Sequence, residues 1–234
     1  MTTPPPLVEA AVDTLDAALA AAAAGAHRLE LCARLDLDGL TPDDALVRAV
    51  LDRVRAPVMV MIRPRAGDFV YSAGDVATME GNIQRARASG ATGVVVGAIT
   101  DGGQLDIDAL GRLLRAAGGI PVTFHRAFDR LRAPGQALTI LGDHGVQRVL
   151  TSGAAATAWE GRAAIRGLVE CAPTGLRIVA GGGVRADHVA ALVRDTGVAE
   201  VHLAASRMVA GAAGRAESHP DPERLRAVLA ALAG

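Results

Sequence analysis

Four times along this chain a helix-like run stops at a glycine and a strand-like run follows at once: AGAHRLEL at Gly25, SGATGVVV at Gly90, HGVQRVLT at Gly145 and TGVAEVHL at Gly197. These glycines are 65, 55 and 52 residues apart. Glycine after a last helical turn takes the left-handed conformation that ends a helix at no steric cost. Between these units lie further short apolar runs: PLVEAAV after Pro6, PVMVMIR from Pro57, PVTFHR from Pro121 and LRIVAGG from Leu176. The pattern predicts eight strands alternating with eight helical segments. Strands separated by helices run parallel, and eight such units in 234 residues match a single-domain α/β fold, the (β/α)8 TIM barrel, over residues 1–234. A doubly wound open sheet is the alternative. It calls for fewer units and for a glycine fingerprint after the first strand, which VEAAVDT lacks, so no nucleotide cofactor is indicated.

Two helices carry their own start signals. In LTPDDAL, Thr41 is a suitable N-cap, Pro42 suits the first helical position, and Asp43 and Asp44 complement the positive end of the helix dipole. DPERLRAVLAAL, from Asp221, repeats the scheme for the last helix. The run Ala17–Ala24 is preceded by Asp13 and Asp16 and is far shorter than the roughly 20 residues of a membrane span, so it reads as a small-residue helix packed on a neighbour.

Charge and residue usage exclude several function classes. A net charge of −1 with evenly scattered arginines offers no basic face to nucleic acid. All 24 basic residues are arginine, and the absence of lysine removes Schiff-base chemistry and P-loop phosphate binding. Cys32 and Cys171 stand far apart with no disulfide framework, which fits a reducing cytoplasm.

In a barrel the outward face of each strand packs on helices, so alternating polar residues point inward. On the second strand Leu29 and Leu31 face the helices while Arg28, Glu30 and Cys32 line the interior. On the third, Val58, Val60 and Ile62 go outward and Met59, Met61 and Arg63 inward. Thr123 and His125, His202 and Glu9 complete a charged interior. Buried charges need partners, so Glu9, Arg28, Glu30 and Arg63 are expected to form an ion-paired layer near the catalytic end, unless they simply fill the barrel. Active sites of this fold sit at the C-terminal strand ends, where Arg63, His125 and Ser152 fall.

The stretch MIRPRAGDFVYS runs off the third strand with Arg63, Arg65, Asp68, Phe69 and Tyr71, and TFHRAFD off the fifth with Phe124, Arg126 and Phe128. Four of the chain's five aromatic residues thus belong to two loops on one rim, where they are expected to wall a pocket whose arginines meet an anion. They can equally pin the loops to the barrel. After the seventh strand, AGGGVRADH sets Gly182 and Gly183 close to a ligand just ahead of a helix, the phosphate position of many barrels. After the eighth, LAAS ends in Ser206, a small-residue turn with further backbone N–H groups.

Seven segments, GAHRLELC (25–32), GLTP (39–42), MIRPR-GDF-YS (61–72), VTFHRAFD (122–129), VLTSG (149–153), AGGGVRA (180–186) and EVH (200–202), resemble the copper homeostasis protein CutC family. That resemblance covers most of the chain. It implies a TIM barrel, a cytoplasmic location, copper handling and the option of a homo-oligomer. Where family members often carry cysteine after the first-strand glutamate, this chain has Ala10 and Ala11. Copper(I) prefers thiolate and thioether ligands, which leaves Cys32 and His202 as metal candidates, with Met59, Met61 and His125 nearby. The other expectation is an enzyme of isomerase or lyase type acting on a small anionic or phosphorylated metabolite. In it Arg63, Arg65 and the glycine loop bind the anion while His125 and Glu9 or Glu30 move protons.

Overall fold

The computed structural model describes residues 5–210 and 216–234. Eight parallel strands close into a barrel in chain order, with β8 pairing back onto β1. They are β1 Leu7–Val12, β2 Arg28–Leu31, β3 Val58–Met61, β4 Gly93–Val96, β5 Val122–Phe124, β6 Arg148–Thr151, β7 Arg177–Gly181 and β8 Glu200–Ala204. The outer ring is α1 Leu15–Ala23, α2 Asp44–Leu51, α3 Ala73–Ala88, α4 Ile107–Ala117, α5 Pro134–Asp143, α6 Arg162–Cys171, α7 Val189–Thr196 and α8 Pro222–Ala233. This is the (β/α)8 TIM barrel expected from the repeat, and the four repeat glycines all have positive φ, between 73° and 97°.

Strand parity sorts the side chains into two apolar groups. Leu29, Leu31, Val58, Val60, Ile62 and Phe124 join the large core between sheet and helices, whereas Cys32, Met59, Met61 and Val95 form a smaller cluster inside the barrel. Burying alternate strand faces on the helices gives most of the driving force, at roughly 25 cal/mol per Å² of apolar surface.

Two local expectations shift. Helix α2 begins two residues later than Thr41 and Pro42 suggest: its N-cap is Asp43, whose carboxylate accepts from Leu46 N at 2.7 Å. The Thr41 hydroxyl instead accepts from Arg63 N at 2.8 Å and ties two loops together. After β8, where a turn was expected at Ser206, the chain forms an antiparallel hairpin of β9 Ser206–Ala210 and β10 Ala216–Pro220, packed on α1 and on the 3-10 turn Leu35–Leu37. Ser206 opens β9 opposite Pro220 and is buried.

An ion-paired layer does fill the barrel, but lower down and with other members than expected. Arg28 bonds Glu9 and reaches Glu200 Oε2 at 2.6 Å; Arg148 and Arg177 reach Glu200 at 3.2 and 3.1 Å. Arg28, Arg148, Arg177 and Glu200 each open their strand, so the layer lies toward the N-terminal strand ends, away from the catalytic end. Arg63 and Glu30 make no hydrogen bond to it.

Removing a fully buried charge from this layer leaves its partners stranded, which costs roughly 3–5 kcal/mol. Glu200→Gln should therefore lower the urea unfolding free energy by that order. Arg177→Ala, whose side chain is 65% exposed, should stay within about 1 kcal/mol. Equal effects of the two changes would show that Glu200 is not the anchor of the layer.

Candidate functional site

The C-terminal strand ends open into a cavity of about 520 Å³, a size that suits a small organic ligand. Its floor is Glu30 from β2, His202 from β8 and Ala11 from β1; its walls include Met61, Arg63, Phe69, His125 and Leu150. Arg126, Asp129, Arg130, Gly182, Gly183 and Arg224 stand around the mouth.

Of the residues singled out from the sequence, the structure brings Glu30, Arg63, His125, Arg126, Gly182, Gly183 and His202 onto this one surface. Glu9 and Arg28 lie beneath the floor, in the ion-paired layer. Ser152 is fully buried behind the wall, bonded to Arg126, Asp129 and the Ala155 carbonyl. Arg65, Asp68 and Tyr71 do not line the cavity. Arg65 pairs with Asp68 at 2.9 Å, donates to the Val70 carbonyl and covers the Tyr71 ring at 5.1 Å, so these three brace the loop after β3. Phe124 and Phe128 point into the outer core, and of the two loops' aromatics Phe69 alone reaches the cavity.

His125 extends the line of β5. Its Nδ1 accepts from Ala127 N at 3.1 Å, which places the proton of the neutral ring on Nε2. That Nε2 is buried and has no partner among the described residues. Burial, reinforced by the Arg63 charge, pushes the imidazole down to about 3, so it is a neutral donor across the physiological range. Gly97 makes room for the ring: a Cβ there would meet His125 Cε1 at 2.3 Å.

Arg63 is held as a clasp. Its Nη1 donates to the Leu37 and Gly39 carbonyls at 2.7 and 3.1 Å and its Nη2 to the Gly67 carbonyl at 3.0 Å, joining the loops after β2 and β3. The guanidinium also lies 4.9 Å from the Phe69 ring, which is itself 4.9 Å from the His125 ring. With both terminal nitrogens committed to carbonyls, Arg63 shapes the wall rather than offering a free fork to an anion.

On the floor, His202 Nδ1 bonds Glu9 Oε1 at 2.8 Å while its Nε2 stands 3.9 Å from Glu30 Oε1. Burial raises the Glu9 carboxyl, but the His202 bond and charge and the Arg28 charge outweigh it and hold the group at about 2. Glu30 lacks such support: its Oε2 is buried without a partner, and burial, against the opposing His202 charge, pushes it up to about 7. For His202, burial is overcome by the Glu30 and Glu9 carboxylates, which raise it. A single carboxyl that titrates near neutrality at the base of a cavity is suited to proton transfer.

Sequence reasoning passed over Asp129 and Glu200. Asp129 accepts from Arg126 Nε at 2.9 Å, from the Thr151 hydroxyl, from Ser152 N and Oγ and from Ala154 N at 3.2 Å, and so fixes the loop after β6 against the one after β5. Glu200 shares strand parity with His202, so the same rule that turns His202 inward would have found it. Gly182 has φ 101° and a Cβ there would lie 3.3 Å from Ser152 Cβ, so any side chain is strained. Helix α7 does not follow the glycines directly; it starts at Val189, past His188.

Copper(I) finds a poor donor set here. Cys32 is the one thiol inside the barrel: it donates to the Val12 carbonyl, and burial, with Glu30 and Asp13 adding, pushes its ionisation well up. Cys171 is exposed at the end of α6. Glu9, Glu30 and His202 present ligand atoms within 4.8 Å of one another, but these are oxygen and nitrogen donors, and both Glu9 oxygens are taken by Arg28 and His202.

A family model described as the CutC family matches residues 6–207. The chain belongs to the CutC family. It is 44% identical over 198 residues to a CutC family protein of Histophilus somni, covering 85% of this chain and 82% of that one. It is 39% identical over 199 residues to the human copper homeostasis protein cutC homolog, covering 85% and 73%. Among solved structures, the CutC of Streptococcus agalactiae superposes with a TM-score of 0.80 at 32% identity, covering 84% of this chain and 97% of that one. The N-(5'-phosphoribosyl)anthranilate isomerase of Pyrococcus furiosus, at 11% identity and TM-score 0.62 over 97% of this chain and 98% of that one, shares the barrel fold alone. No helix among the described residues is long and apolar enough to cross a membrane.

The raised Glu30 carboxyl has a stability signature. The native state holds a proton at about 7 that the unfolded chain releases at 4.5, so this contribution is full below 4.5 and is lost as pH rises through 7. His202, also raised, acts in the same direction; Glu9, Arg28 and Cys32 are the other titratable neighbours. The unfolding free energy of the wild type should fall between about pH 4.5 and 7 more steeply than that of Glu30→Gln. Parallel profiles would mean that Glu30 ionises normally.

Proposed function

We propose that this CutC family protein is an enzyme that binds a small anionic organic molecule in the barrel-mouth cavity and moves a proton on it. The observation that carries this reading is that two residues lining one cavity, Glu30 on its floor and His125 on its wall, each hold a buried polar atom, Oε2 and Nε2, with no hydrogen-bond partner among the described residues. Buried polar groups are almost always satisfied, so a cluster of such atoms on the residues lining one cavity, Arg63 Nε among them, fits a ligand that completes them. The anionic end is assigned to the mouth. There Arg126 stands beside Gly182 and Gly183, whose backbone N–H groups have no acceptor among the described residues. Arg130, also on the mouth, has no carboxylate partner among the described residues. Charge-assisted bonds from arginine and backbone N–H groups are the usual means of holding phosphate or carboxylate.

Copper handling is what the name of the human relative states, and it is the weaker reading for this geometry, because a single protonated thiol faces no second thiolate. Two cysteines without a disulfide fit a reducing compartment, and the cytoplasm is the proposed location.

Thermal unfolding tests the anion site. Inorganic phosphate, sulfate or a small phosphorylated or carboxylated metabolite should raise the melting temperature of the wild type, growing with the logarithm of concentration once the site saturates. Arg126→Ala should abolish the shift yet keep the fold, since Asp129 retains its bonds from Thr151, Ser152 and Ala154. No shift from any of these anions in the wild type would refute the reading. Stoichiometric copper(I) binding lost in Cys32→Ser would favour the copper role instead.

A further inference from the structure

We infer that the reaction is proton transfer at the carbon next to a carbonyl group, on a small aldehyde or ketone that carries a phosphate or carboxylate. This rests on the anion reading above and names its chemistry. The unpartnered atoms of these two cavity-lining residues differ in kind: the Glu30 carboxyl, with Oε2 unbonded, can accept a proton, while His125 Nε2–H is a donor whose tautomer is set by the Ala127 N–H on its other nitrogen. They come from β2 and β5, so a ligand between them meets a base on one side and a neutral hydrogen-bond donor on the other. A carbonyl compound with an adjacent C–H asks for that pair. His125 is kept uncharged by burial and Arg63, and a neutral imidazole can bond an enolate oxygen without protonating it outright. Glu30, titrating at about 7, is in part ionised at neutral pH and can both take and return a proton.

The step balances within the protein and substrate. The ionised Glu30 takes the proton from the carbon beside the carbonyl. The C–H electron pair becomes a carbon–carbon double bond, and the carbonyl π pair moves to oxygen, where the His125 Nε2–H bond stabilises the enolate. Return of the proton to the same carbon gives exchange with solvent. If the carbon that lost the proton bears a hydroxyl, delivery to the former carbonyl carbon, with the hydroxyl proton passing to the former carbonyl oxygen, gives the isomer. No oxidant or reductant is consumed. An iminium route to the same acidity is closed, because the chain has no lysine.

Proton NMR in D2O reads the step directly. Dihydroxyacetone phosphate and 2-oxobutanoate serve as probes, one phosphorylated and one carboxylated, with thermal unfolding measured on the same samples. The wild type should replace the C–H beside the carbonyl of at least one probe by deuterium about 10²-fold or more faster than Glu30→Gln, the usual weight of a general base. His125→Phe should also lose exchange, and both variants should keep the larger part of the thermal shift given by the probe, which the anionic end supplies at the mouth. Arg126→Ala should lose the shift. If a probe raises the melting temperature but exchanges no faster with wild type than with Glu30→Gln, the carbonyl chemistry is overturned and the anion site stands. If neither probe shifts the melting temperature nor exchanges, both fall together.

Discussion

Arg28 is the residue on which the rest of the barrel is arranged. A guanidinium taken out of water inside a ring of strands is tolerated only because Glu9 and Glu200 meet it from β1 and β8, on the side where the barrel closes. A charged layer of this kind is costly to desolvate, and here its three arginines converge on Glu200 while Arg148 Nη1 stays buried without a partner among the described residues. The consequence runs upward. Glu9 spends its second oxygen on His202, so the imidazole stands fixed beneath the cavity, and Glu30 is left as the one floor carboxyl with an unpartnered oxygen.

The walls obey the same accounting. Arg63 gives both terminal nitrogens to loop carbonyls, Arg65 serves its own loop, and Asp129 gathers the loops after β5 and β6. Groups that a sequence reader assigns to ligand therefore hold the frame, and the frame leaves a few polar atoms unmatched on the inner surface. Rigid supports of this kind allow a small site to keep its geometry without a moving lid.

The barrel was legible because its signals are local and repeated: a helix stop at each of four glycines, a strand directly after, and alternate residues that divide between helices and interior. Parity also turned Glu30, His125 and His202 inward correctly. It could not say which inward charge pairs with which, since Glu200 is 172 residues from Arg28 and no spacing reveals that bond. For the same reason Arg63 is grouped with the wrong layer: it stands two residues past β3, where its guanidinium is held by loop carbonyls at Leu37, Gly39 and Gly67, which carry no side-chain signal. The aromatic count on the rim misled because Phe124 and Phe128 obey strand and turn parity and face outward, whereas Phe69 sits on a loop free of it. The hairpin after β8 lacks the apolar–polar alternation that announces a strand, reading SRMVA and AESHP along its two arms.

Glu30 also marks where this fold gives up heat resistance. A buried carboxyl with an idle oxygen is a defect by every rule of packing, and an apolar side chain of similar volume would leave no orphaned atom there. A population of variants selected only for survival at high temperature should therefore drift away from glutamate at this position, while one required to keep the protein's chemistry should hold it against that pressure. Comparing the two selections would separate the residues that make the barrel from those the barrel merely tolerates.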